Sequence, residues 1–136
     1  MHPYGYIKGN IEAVRERMAA AAARAGVSAQ GIVLVAVTKT ADAPMMQAAA
    51  DFGLSHFGEN RVQAYLQKRN EINGKIFWHI IGQLQTNKVK YILDGVALLH
   101  SLDRLSLAQE IERQCEKRGC TLDALIEVNI AGEASK

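Results

Sequence analysis

Residues 32–37 read Ile32-Val33-Leu34-Val35-Ala36-Val37, a continuous apolar run that is rich in β-branched side chains. A strand with one face in water alternates apolar and polar residues, whereas an uninterrupted apolar run suits a strand covered on both faces. Such strands are typical of parallel sheets, in which crossover helices pack on the sheet. The segment therefore predicts a parallel α/β architecture.

Helices and strands alternate on both sides of this run. Apolar spacing predicts a helix over residues 11–25, with Asn10 as its N-cap and Gly26 as its stop. Asp42 is expected to cap a second helix that ends at Gly53. Further strands are predicted at 55–57, 76–81, 96–99 and 125–130, and further helices at 61–71, 85–93 and 103–118. The buried stripe of the last helix is expected to be Leu105, Ala108, Ile111 and Cys115.

Five strands that alternate with helices fit two parallel architectures. One is a five-stranded doubly wound sheet, complete within residues 1–136. The other is a (β/α)8 barrel of the TIM type, cut after its fifth strand. The pattern alone favours the doubly wound sheet. No repeat, linker or low-complexity segment divides the chain, so a single domain is expected.

Composition excludes several classes of function. A net charge of +2 over 136 residues, with basic and acidic residues interspersed, does not indicate a nucleic-acid partner. The apolar runs are too short to span a membrane, and no signal peptide is visible. The two cysteines, Cys115 and Cys120, lack metal-ligand spacing, so no metal site is expected. We therefore expect a soluble, cytoplasmic domain.

Polar residues follow the predicted strands at their carboxyl ends, where both architectures place their functional sites. If the first strand extends through Lys39, this lysine shares a face with Val33, Val35 and Val37. Its amine would then be partly desolvated, which disfavours the ammonium form and suits a lysine that forms a Schiff base. An ordinary solvated lysine at a strand end is the alternative interpretation.

Three polar residues lie within segments that should be buried strands. His79 shares a face with Phe77 and Ile81, where a hydrogen-bonded core histidine is the common case. Glu127 and Asn129 point to the same side of the fifth predicted strand, so both need polar partners or a ligand there.

Five sequence strings resemble the pyridoxal phosphate homeostasis protein family. They are Leu34-Val35-Ala36-Val37-Thr38-Lys39-Thr40, Phe57-Gly58-Glu59-Asn60-Arg61-Val62-Gln63, Trp78-His79-Ile80-Ile81-Gly82-Gln83-Leu84-Gln85-Thr86-Asn87-Lys88-Val89-Lys90, His100-Ser101-Leu102-Asp103 and Val128-Asn129-Ile130-Ala131-Gly132-Glu133-Ala134-Ser135-Lys136. The third string is the most specific. The resemblance runs from the first helix to the last residue.

The resemblance implies a barrel similar to the N-terminal domain of alanine racemase, truncated here after the fifth strand. It makes Lys39 the Schiff-base lysine for pyridoxal 5'-phosphate and places Asn60 and His79 in the cofactor pocket. The family has no established catalysis, so the implied role is cofactor homeostasis or delivery, with effects on amino-acid and keto-acid balance. The family's phosphate-binding turns lie in later segments that this sequence lacks.

Two other functions stay open, and a half barrel is also expected to self-associate. A racemase- or lyase-like enzyme would need a general acid or base opposite Lys39, such as a tyrosine on a facing element. Tyr65 and Tyr91 lie in predicted helices and are not obvious candidates. A flavodoxin-like interaction module without cofactor would show strand order 2-1-3-4-5. A half barrel is expected to self-associate through the exposed edges of its first and fifth strands.

Overall fold

Strand pairing follows chain order throughout the sheet. The computed structural model describes residues 3–135. Its helices are α1 (Gly5–Ala25), α2 (Ala43–Asp51), α3 (Val62–Lys68) and α4 (Leu105–Arg118), with 3₁₀ segments at Ala29–Gly31 and Thr86–Tyr91. Its strands are β1 (Ala36–Val37), β2 (His56–Glu59), β3 (Phe77–Ile80), β4 (Val96–Leu102) and β5 (Ala124–Ile126).

The sheet is parallel, with the spatial order β1-β2-β3-β4-β5. This order differs from the 2-1-3-4-5 order of the flavodoxin-like alternative, and a doubly wound sheet likewise requires a reversal of direction along the sheet. Right-handed connections that advance in one direction all lie on the same side of a sheet. The fold is therefore α/β with helices along one face, an arrangement compatible with part of a barrel.

Local sequence signals explain most helix ends. Asp42 caps α2 as expected, since its Oδ1 accepts a hydrogen bond from the backbone N–H of Met45 at 2.9 Å. Gly26 and Gly119 follow α1 and α4 in left-handed conformations, which favour glycine at helix C-termini. The expected N-cap at Asn10 is wrong, because α1 begins at Gly5 and continues through that position.

The two faces of the sheet have different surroundings. The helix-covered face carries the buried side chains Phe57, Glu59, Trp78, Ile80, Leu99 and Ser101. On the opposite, inner face Val37 is 56% exposed, whereas His79 is only 4% exposed. In α4 Ile111 and Cys115 are buried as expected, but Leu107 is the buried leucine of the first turn and Leu105 is 73% exposed.

The first and last strands are shorter than their apolar runs predict. Only Ala36 and Val37 of the run 32–37 pair with β2, and β5 ends at Ile126. Both strands lie at the edges of the sheet, where only one neighbour supplies backbone partners. Of the remaining apolar residues, Ile32, Val33, Val128 and Ile130 are exposed, the last at 92%, whereas Leu34 packs against the core. In the part of the chain that the structure describes, no helix is both long and apolar enough to cross a bilayer.

Candidate functional site at the carboxyl end of the sheet

Lys39 lies in a turn directly after β1. The backbone N–H of Thr38 donates to the Gly58 carbonyl at 3.0 Å, and the N–H of Ala41 closes the turn by donating to the Thr38 carbonyl at 3.1 Å. The side chain of Lys39 is exposed. The expected strand extension and partial desolvation of its amine are therefore wrong for this chain, because pairing stops before the lysine.

Beneath this turn lies a buried ionic cluster that the sequence interpretation missed. Glu59 Oε1 accepts hydrogen bonds from Thr38 Oγ1 and from Lys68 Nζ, each at 2.7 Å. Lys68 Nζ also donates to the Thr38 carbonyl at 2.6 Å. The cluster therefore ties β1, β2 and α3 together at the residue that precedes Lys39.

The burial of this cluster makes it sensitive to the loss of either charge. The Glu59 side chain is fully buried and that of Lys68 is 15% exposed. The second carboxylate oxygen, Oε2 of Glu59, is buried without a hydrogen-bond partner among the described residues. A buried carboxylate needs its cation, because removal of one partner leaves an uncompensated charge in the core. Glu59 lies beyond the second predicted strand, residues 55–57, so the sequence pattern did not indicate its burial.

Asn60 follows β2 and packs against the turn that follows β3. A Cβ atom added to Gly82 would approach the Asn60 carbonyl oxygen too closely and would lie 2.9 Å from its carbonyl carbon. Only glycine fits this close approach of two backbones. Ser101 Oγ donates to the Gly82 carbonyl at 2.6 Å, and Arg104 Nη2 donates to the Leu84 carbonyl at 2.7 Å. Two side-chain hydrogen bonds therefore stabilise the turn that begins at Gly82.

The carboxyl ends of the strands form the rim of the sheet. A cleft of about 540 Å³, here named the rim cleft, opens beside Asn60 at this rim. Its lining includes Asn60, Ile81, Gly82, Gln83, Asp103, Glu127, Asn129 and Ser135. Glu127 and Asn129 lie beyond the end of β5, so they are not polar groups within a buried strand as the sequence suggested. Asn129 instead holds the following loop, since its Nδ2 donates to the Glu133 carbonyl at 2.9 Å.

His79 lies on the inner face between two other histidines. His56 Nδ1 is 2.9 Å from His79 Nε2, and His79 Nδ1 is 2.8 Å from His100 Nε2. Burial, followed by the neighbouring His100 and His56, lowers the pKa of His79 from 6.5 to about 4. Burial also lowers the pKa of His100. His79 and His100 are therefore neutral at pH 7.

The lowered pKa of His79 predicts that acid destabilises the fold. Between pH 6.5 and pH 4 the unfolded chain binds a proton at residue 79 that the folded chain does not bind. The free energy of unfolding should therefore fall as pH falls through this range. Urea unfolding at pH 7 and pH 5 would measure the loss in the wild type and in His79→Phe. We expect a smaller loss in His79→Phe, and equal losses would contradict the assigned shift.

The three candidate residues lie at two levels of the sheet. The pairing of Val37 with Gly58 places Lys39 at the same end of the sheet as Asn60. His79 pairs with Gly58, so it lies further from the rim. No hydrogen bond in the described part of the chain joins the side chains of Lys39, Asn60 and His79, and no metal-ligand cluster occurs among those described residues.

Sequence comparison identifies what the chain is similar to. It is 42% identical over 127 residues to the pyridoxal phosphate homeostasis protein of Aquifex aeolicus, an alignment that covers 93% of this chain. The chain matches the pyridoxal phosphate homeostasis proteins. The protein of this name from Pseudomonas aeruginosa is 38% identical over 131 residues, which cover 96% of this chain. No family model matches the chain.

Solved structures give the same result. An unknown protein from Bifidobacterium adolescentis aligns over 96% of this chain with a TM-score of 0.86 and 36% identity. PipY of Synechococcus elongatus, with pyridoxal phosphate bound, aligns over 89% of this chain with a TM-score of 0.73 and 30% identity. The resemblance inferred from the sequence strings is therefore confirmed. The chain spans 56% of the Aquifex protein's length, and 57% of each of these two solved chains.

Proposed function

We propose that this chain binds pyridoxal 5'-phosphate through an imine between the Lys39 amine and the cofactor aldehyde, and serves cofactor homeostasis. The observation that carries the proposal is the position of Lys39, whose exposed primary amine follows β1 at the carboxyl end of a parallel sheet. Parallel α/β folds bind their ligands at this end. The pyridoxal phosphate in PipY, a structural neighbour, supports the same ligand class.

Asn60 and His79 are proposed to line the cofactor site with Lys39. The residues present fit the aldehyde end of the cofactor, because a primary amine supplies the nucleophile and the Asn60 carboxamide supplies both a donor and an acceptor. His79 contributes less directly, since both its ring nitrogens already contact histidines. Bound to the chain in this way, the cofactor would supply an electrophilic carbon, the former aldehyde carbon, and an electron-withdrawing ring.

A carrier role in the cytoplasm, with effects on amino-acid and keto-acid balance, is part of this proposal. The racemase- or lyase-like alternative gains no support from its tyrosines. Tyr65 is fully buried in the core, where its hydroxyl accepts a hydrogen bond from Arg69 Nη1 at 3.0 Å. Tyr91 lies in a 3₁₀ segment beside Lys88 and Lys90. We therefore propose binding rather than turnover.

Reductive labelling tests the proposal. The chain is mixed with pyridoxal phosphate, its visible spectrum is recorded, and borohydride reduction fixes the imine for peptide mapping by mass spectrometry. We expect a distinct imine band and an adduct at Lys39 alone. Adducts spread over the exposed lysines Lys8, Lys75 and Lys88, without a distinct band, would show ordinary surface chemistry and overturn the proposal.

Self-association through the sheet edges stays a prediction. The structure places β1 and β5 at the two edges, each with unpaired backbone groups on its outer side. Sedimentation velocity over a range of protein concentrations would test it. A sedimentation coefficient that rises with concentration is expected, and a constant monomer value would contradict the prediction.

A further inference from the structure

Three neighbouring strands place one histidine each in a single hydrogen-bonded row. His56 lies on β2, His79 on β3 and His100 on β4. The ring centroids are 5.2 Å apart for the first pair and 5.1 Å apart for the second. The nitrogen–nitrogen distances of 2.9 and 2.8 Å are those of hydrogen bonds, so each contact contains one hydrogen.

The number of hydrogens restricts the tautomers of the row. A neutral imidazole has one N–H donor and one bare nitrogen that accepts. His79 uses both nitrogens in the row, so it must donate to one neighbour and accept from the other. Only two neutral patterns therefore satisfy both contacts. In one, all three rings carry their hydrogen on Nδ1, and in the other all three carry it on Nε2.

The two patterns give opposite properties to the ends of the row. With hydrogens on Nδ1, the outer nitrogen of His56 is an acceptor and that of His100 is a donor. With hydrogens on Nε2, His56 is the donor and His100 the acceptor. The donor or acceptor state of one end therefore fixes the state of the other, although two hydrogen bonds separate them.

The ends of the row reach different parts of the molecule. His56 stacks on Phe77 and borders a cleft of about 450 Å³ that residues of α1, such as Met18, also line. His100 follows Leu99, the partner of Ile80 in β3, and therefore lies beside Ile81 near the rim cleft. The row thus runs from the cleft beside α1 to the end of the sheet that carries Lys39.

We propose that His56, His79 and His100 form a proton relay between the cleft beside α1 and the carboxyl end of the sheet. A proton that binds to His56 Nε2 displaces the Nδ1 hydrogen of His56 to His79 Nε2. The Nδ1 hydrogen of His79 then passes to His100 Nε2, and the Nδ1 proton of His100 leaves to solvent, which reaches this partly exposed residue. One proton enters and one leaves, and the row stays neutral. The relay does not require cofactor binding.

Long-range ¹H–¹⁵N correlation NMR on the ¹⁵N-labelled chain at pH 7.5 tests the proposal by measuring the Nδ1-protonated fraction of each ring. We expect this fraction to be equal for all three histidines at each temperature between about 5 and 35 °C, because the shared hydrogens force the three rings to change tautomer together. Unequal fractions in the wild type would overturn the relay whatever the labelling of Lys39 shows.

Two variants sharpen the test. His79→Phe removes the central ring, so the fractions of His56 and His100 should diverge. His56→Phe keeps an aromatic ring against Phe77 and leaves the contact between His79 and His100 in place, so these two fractions should stay equal. Fractions of His56 and His100 that stay equal in His79→Phe would show that their tautomers are not coupled through the row. If His79→Phe does not fold, the wild type and His56→Phe decide the question.

Discussion

Replacement of Lys39 by alanine is expected to abolish the imine absorbance that pyridoxal phosphate gives with the wild-type chain. The variant lacks the proposed nucleophile, and no neighbouring amine takes its place, because Lys68 is held by Glu59 and Thr38. The fold should be retained. Lys39 is exposed, and substitutions at such positions usually change the free energy of unfolding by no more than about 0.5 kcal/mol.

Lys75→Ala is the matched control for this experiment. Lys75 is also exposed but lies just before β3, at the amino end of the sheet, opposite the turn after β1. Titration of both variants with the cofactor, followed by visible absorbance and by urea unfolding, separates binding from stability. An undiminished imine band in Lys39→Ala would exclude Lys39 as the cofactor lysine.

The substitution Lys68→Met is expected to lower the free energy of unfolding by about 3–5 kcal/mol. It removes the cation that contacts fully buried Glu59, whose second oxygen already has no partner among the described residues. It also removes the hydrogen bond to the Thr38 carbonyl. A domain of this size has a total stability of about 5–15 kcal/mol, so the variant should be close to unfolding.

Urea unfolding measures this loss, and two further variants define its cause. Lys117→Met removes an exposed lysine at the end of α4 and should cost less than about 1 kcal/mol. The double variant Glu59→Gln, Lys68→Met removes both charges and should recover much of the loss, because no buried charge remains unpaired. A loss below about 1 kcal/mol in Lys68→Met would mean that Glu59 finds compensation elsewhere.

Local sequence patterns predicted the order of helices and strands because capping residues and apolar periodicity act within a few residues. Asp42, Gly26 and Gly119 mark helix ends without reference to the rest of the fold. The lengths of β1 and β5 were wrong for a physical reason. Apolar runs report the capacity to form a strand, whereas pairing at a sheet edge depends on a neighbour that the run does not specify.

The contacts that define the candidate site required the register of the sheet. His79 was expected to be either a core histidine or a pocket residue, and its hydrogen bonds join residues 23 and 21 positions away on adjacent strands. The Glu59–Lys68 pair likewise depends on which face of α3 packs against β2. Single-residue patterns could identify Lys39, Asn60 and His79 as candidates, but not the partners of these residues.

The order of the strands also bears on synthesis by the ribosome. Each new strand joins the preceding one, and paired residues lie only 18 to 25 positions apart in the chain. None of these four pairings waits for a distant later segment, so the described sheet can grow by one helix and one strand at a time as the chain leaves the exit tunnel. Every intermediate of this growth exposes the outer edge of β1 and the edge of its newest strand, and these are the surfaces that a chaperone would need to cover during translation.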